Sequence, residues 1–167
     1  MKASKLTSVT KLASALVLLT TSTVALADVA DNTAYKMVLI EDVPGVNELQ
    51  SGNIIEGLNE TLSASKLEVD SFSRNINLCV GYTKLSEIEK AEQACTAAVK
   101  SARIDSTMGE MRAYAYNNRG VAKLMAKDNL GALEDFRRAA KVTSNSIYQH
   151  NLTRLEAALN STDNGIL

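Results

Sequence analysis

The stretch "YNNRGVAKLMAKDNLGALEDFRRAA", residues 116–140, decides how the chain is read. Asp128 is placed to cap a helix beginning "NLGALEDF", and another helix, "MRAYAYNNRGVAKLMAK", lies before it between Ser106 and Ala126. Gly120 stands in the first helix. Ala132 follows it by twelve residues, Phe136 comes four later, and Ala139 three after that. A residue without a bulky side chain lets a second helix approach closely, and an aromatic ring then fills the space beside the crossing. The stretch therefore reads as a helical hairpin.

The pattern recurs upstream, in "NINLCVGYTKLSEIEKAEQACTAAVKSAR", residues 75–103. Leu78 and Tyr82 fall on large apolar positions. Cys79 takes the place of Gly120, Ala91 that of Ala132, Cys95 that of Phe136 and Ala98 that of Ala139. A weaker copy lies 34 residues earlier, where Gly57, Thr61 and Ala64 mirror Ala91, Cys95 and Ala98. Its first helix should be short, because Pro44 and Gly45 interrupt it.

With Tyr116 at the first aromatic position, these spacings resemble the tetratricopeptide repeat (TPR) over about three quarters of the chain. The resemblance implies an all-α array of helical hairpins. A degenerate repeat covers 38–71, two good repeats cover 72–105 and 113–146, and a capping helix covers 146–160. Two features depart from the family. The proline that usually ends a repeat is missing, and an insertion around Ile104 to Arg112 stretches one period.

Ser86-Glu87-Ile88-Glu89 reads as a capping box opening a helix that runs to about Ala102, and Ser146-Ile147-Tyr148-Gln149 repeats the device. "YKMVLIEDVP", residues 35–44, is rich in large apolar and β-branched residues and stops at Pro44. Two readings stay open. It is a short extended segment covering the N-terminal end of the stack, or a frayed helical lead-in.

The repeat template lays Cys79 and Cys95 against one helix crossing. In an oxidising compartment that predicts a disulfide worth on the order of 3 kcal/mol. The alternative is a pair of buried thiols acting as small hydrophobes. A redox role would call for closer spacing, exposure and a lowered pKa.

By the same resemblance, an asparagine just before the small residue of each first helix hydrogen-bonds a ligand's backbone. Asn77, Asn118 and Asn151 would then form a ladder gripping an extended segment, with Tyr114, Asn117, Val80, Val121, Leu124, His150 and Arg154 on the same wall. These asparagines could equally bridge neighbouring helices. Only Lys84 and Arg154 are candidates for a carboxylate clamp, too few to support one.

The chain begins "MKASKLTSVTKLASALVLLTTSTVALADVA". A basic start, a short apolar run and Ala25-Leu26-Ala27 match a signal peptide over 1–27, cut after Ala27, and make the bacterial periplasm the expected destination. The run is too short and too rich in threonine to anchor the mature chain in a membrane. The formal charge is −1 and the leader carries three lysines and no acid, leaving −4 on residues 28–167. A mildly acidic surface does not track a phosphate backbone, so nucleic acid is not an expected partner.

His150 is the sole histidine and lacks a second ligand at metal spacing; no metal or cofactor is expected. G-x-S-x-G, H-E-x-x-H and phosphate-binding glycine loops are absent from the sequence. The expected function is a non-enzymatic module that binds a protein or extended peptide on the concave face. Self-association as a structural component of the envelope is the alternative, and a thiol redox protein a more distant one.

Overall fold

The computed structural model describes residues 35–102 and 109–163, and the leader over 1–27 lies outside the described residues. Among the described residues seven helices follow one another: α1 (Val46–Ser51), α2 (Ile54–Ser63), α3 (Ser71–Lys84), α4 (Ile88–Ser101), α5 (Gly109–Met125), α6 (Asn129–Val142) and α7 (Ser146–Asp163). They pack as adjacent antiparallel pairs, each helix against the next. In addition α1 meets α3, and α3 meets α5, so the first helices of successive hairpins stack side by side. No helix among them is long and apolar enough to cross a membrane.

One packing position recurs in the three hairpins and is solved by three chemistries. In α5–α6 a Cβ on Gly120 would stand 2.6 Å from the Phe136 ring, so the ring occupies the volume that glycine leaves. Phe136, Ala132 and Ala139 are fully buried. Between α3 and α4 the same place holds a Cys79–Cys95 disulfide, with Cα atoms 4.8 Å apart. Between α1 and α2 it holds a hydrogen bond: the Thr61 hydroxyl donates to the Pro44 carbonyl at 2.8 Å. There the backbones nearly touch, since a Cβ on Gly57 would lie 2.7 Å from the Gly45 carbonyl oxygen. Pro44 and Gly45 leave α1 only six residues, as its sequence implies.

The joints differ from the capping boxes expected. Ser86 does not cap α4. It adopts φ +58°, and Glu87 precedes the helix without any side-chain cap. Ser86 instead closes α3: its N–H donates to the Thr83 carbonyl and the Glu87 N–H to Tyr82, which satisfies carbonyls orphaned at the helix end. Lys127, φ +63°, does the same for α5, with Lys127 N–H on Leu124 and Asp128 N–H on Lys123. Asp128 caps α6 as expected, its carboxylate accepting from the Gly131 N–H at 2.9 Å. At α7 the cap is Asn145, whose Oδ1 accepts from the Ile147 N–H at 2.9 Å, and not Ser146. Reading a box one residue late is the natural error where Asn and Ser adjoin, since both accept from a helix start.

Behind the stacked helices one carboxylate is held by two cations. Asp135 of α6 is 1% exposed and takes both Nε and Nη2 of Arg119, at 2.7 and 2.8 Å, with Lys123 Nζ at 2.9 Å. The Asp135 hydrogen bond raises the Arg119 guanidinium above its ordinary value, against the opposing effect of burial.

Two outcomes follow for stability. Reducing the disulfide frees a loop of sequence separation 16 and should lower unfolding free energy by about 3 kcal/mol, read as a shifted urea midpoint with and without reductant. An unchanged midpoint would mean that helix packing alone holds α3 to α4. Lys127→Gly relieves a left-handed residue at a helix end and should raise stability by about 0.5–1 kcal/mol in the same assay.

Candidate functional site

Residues 35–40, "YKMVLI", belong to no helix and run along the face made by α3, α5 and α7. They are extended, but they do not cover the end of the stack. They lie lengthwise in its groove as a strap. In an extended chain the N–H and C=O of one residue point the same way, and every second residue repeats that direction. A primary amide offers one acceptor and two donor hydrogens, so a single asparagine can satisfy both groups of one such residue.

Asn77 of α3 accepts the Ile40 N–H at 2.8 Å and donates to the Ile40 carbonyl at 2.9 Å. Asn118 of α5 treats Val38 identically, at 2.8 and 2.7 Å. Asn151 of α7 takes the Lys36 N–H at 2.8 Å and donates to its carbonyl at 2.7 Å. Asn117 adds a second donor to the Lys36 carbonyl at 2.9 Å, and its own Oδ1 accepts from Asn151 at 2.8 Å, joining α5 to α7. The three first-helix asparagines meet alternate residues in reverse order, so the strap runs from the α7 end of the array toward α3. All four asparagines are 0% exposed.

The strap's side chains enter every hydrophobic cluster of the described structure. Met37 and Leu39 pack on the cluster of Leu49, Leu58, Leu78 and the cystine, and Ile40 on that of Phe72, Ile76 and Ala115. Val38 joins the cluster of Ala113, Ala139 and Tyr148. Tyr35 and Met37 meet Val121, Phe136 and Leu155, and the Tyr35 ring stacks on Phe136 with centroids 5.9 Å apart. Arg154 completes that end, its guanidinium carbon 5.1 Å from the centroid of the Tyr35 ring.

The remaining wall residues divide. Tyr114 packs edge-on against Tyr148 and beside the strap, its hydroxyl donating to Glu110 at 2.9 Å. Val121 and Leu124 meet the strap's Tyr35 end, and His150 lines an open depression there with Tyr35 and Arg154. Val80 is buried. Lys84 is spent elsewhere, donating to the Leu49 carbonyl near the end of α1 at 2.9 Å. Burial pushes the Tyr148 phenol well above its ordinary range, and its hydroxyl has no hydrogen-bond partner among the described residues.

Sequence reasoning set out the three first-helix asparagines and Asn117, and left open whether they meet a ligand or one another. The structure brings them together on a backbone supplied by this chain. That occupant was missed. The available signal was "YKMVLI" itself, in which both alternating rows are apolar except at Lys36; this marks an extended segment covered on two sides.

No family model matches the chain, nor does any curated protein or solved structure.

Removing one amide orphans two part-buried backbone groups at once. Asn118→Ala should therefore cost about 2–4 kcal/mol, one to two for each group left unpaired, measured by urea unfolding. Because amides do not titrate, that penalty should be the same at pH 5 and pH 8. A loss below about 0.5 kcal/mol would show that water replaces the amide freely.

Proposed function

We propose that the chain is a non-enzymatic, tetratricopeptide-like interaction module, exported to an oxidising compartment, whose groove holds an extended peptide by its main chain. One observation carries the reading: buried amides on three successive first helices each close on both backbone groups of alternate strap residues. Such contacts recognise an extended backbone, and the pockets beside them select apolar side chains. The repeat spacings of the sequence support the TPR assignment, and the leader together with the cystine supports export.

The side chains that hydrogen-bond the strap backbone are amides, which neither attack nor transfer protons at neutral pH, and this favours binding over catalysis. Both cysteines are 0% exposed, which favours a staple over a thiol redox role. A foreign peptide must take the place of residues 35–40, so the partner expected is an extended segment apolar on both faces.

The test is binding in trans. A chain lacking residues 28–40 is titrated with a labelled peptide of residues 33–42, followed by fluorescence anisotropy. Saturable binding is expected, weakened about 100-fold by Asn118→Ala, a factor equal to about 2.7 kcal/mol. N-methylation at Val38, which removes the N–H that Asn118 accepts, should abolish it. Should the shortened chain fold poorly, the peptide should restore its helical circular dichroism. Neither binding nor rescue would leave the groove as a purely internal support.

A further inference from the structure

We propose that the occupant of the groove in trans is a second copy of this chain: residues 35–40 of each molecule seat in the other's groove, giving a symmetric, strap-exchanged dimer. The proposal rests on the reading that the groove accepts an extended segment not joined to it covalently. All seven strap hydrogen bonds pair an asparagine side chain with strap backbone, three donated by strap N–H groups and four by the amides, so none depends on chain continuity.

An empty groove is costly. Vacating it uncovers four amides that are 0% exposed, together with the apolar residues that meet Tyr35, Met37, Val38, Leu39 and Ile40. A foreign segment must match both apolar rows and also compete with a tethered strap, whose effective concentration is on the order of millimolar. Another copy's strap matches by construction. Reciprocal exchange refills both grooves with the same contacts, so only the entropy of association opposes it.

The hinge is short and sits between two anchored points. Ile40 is held by Asn77, and the Pro44 carbonyl by the Thr61 hydroxyl at 2.8 Å. Between them Val43 is buried, while Glu41 and Asp42 are exposed. Proline also restricts the residue before it, so redirection of the strap falls on those two exposed residues. The strap precedes all seven helices, so its departure separates no helix from its neighbours. Short hinges favour exchange over closure, and longer ones reverse the preference.

The α2 hairpin at the same end of the array also carries exposed apolar residues. In exchange, the α1–α3 ends of the two molecules come together. There Ile55 and Leu62, seven apart on α2, are 67% and 50% exposed, and Leu67 follows in the next turn at 99%.

The test uses the purified protein. Sedimentation equilibrium up to about 1 mM, the range set by the tether, should show a monomer–dimer equilibrium. Deleting Asp42 should raise the dimer association constant about tenfold or more, and inserting six Gly/Ser residues after Asp42 should lower it by a similar factor. A photo-crosslinking residue at position 38 of isotopically heavy chains, mixed with light chains, identifies whose groove the strap occupies. Heavy-to-light links onto α5 or α7 in the dimer fraction are expected.

A monomer throughout, a dimer with only heavy-to-heavy links, or insensitivity to both hinge changes would overturn exchange. If the peptide of residues 33–42 still binds the strap-deleted chain, exchange alone falls and the groove reading stands. If it neither binds nor rescues, both fall.

Discussion

Each buried asparagine of the groove must find partners for one acceptor and two donor hydrogens, and the strap is where most of them are found. That requirement shapes the rest of the molecule. Asn77, Asn118 and Asn151 sit one per first helix, so the helices must stack in register for these amides to meet residues two apart along one extended chain. Two residues of extended chain advance about 6.6–6.8 Å, which sets the spacing at which successive amides are useful. The strap then joins all four apolar clusters, and a single segment couples packing that would otherwise stay local to each hairpin.

This coupling acts over long sequence distances. The strap's bonds to α3, α5 and α7 span 37, 80 and 115 residues. Closing such loops costs chain entropy that grows only slowly with length, so a far helix is barely more expensive to reach than a near one. A conventional hairpin array has contacts only between neighbours. Here the ends are linked as well, and the α7 end is fastened by Tyr35 between Phe136 and Arg154.

Within the hairpins, one geometrical place is filled by a threonine hydroxyl on a carbonyl, by a disulfide and by a phenyl ring on glycine. Volume explains the variety. Where Pro44 and Gly45 lead into the first helix, the backbones come close enough for a hydrogen bond, and where that helix offers Gly120, they leave room for an aromatic. The cystine bridges the intermediate case covalently. A disulfide at this place fits an oxidising compartment outside the cytoplasm.

The hairpins, the partners of Cys79, the shortness of α1 and the cap at Asp128 were all legible in the sequence, because each rests on spacing within about thirty residues. Ser86 and Asn145 show the limit of local reading. A serine or asparagine at a helix joint can cap the next helix or close the last one, and only backbone direction decides between them. Asn77, Asn118 and Asn151 could be read as a ladder from the repeat resemblance, with Asn117 on the same wall. What they hold could not. That segment lies up to 115 residues away, and its partners are backbone groups, which carry no mark in the sequence of which amide they will meet.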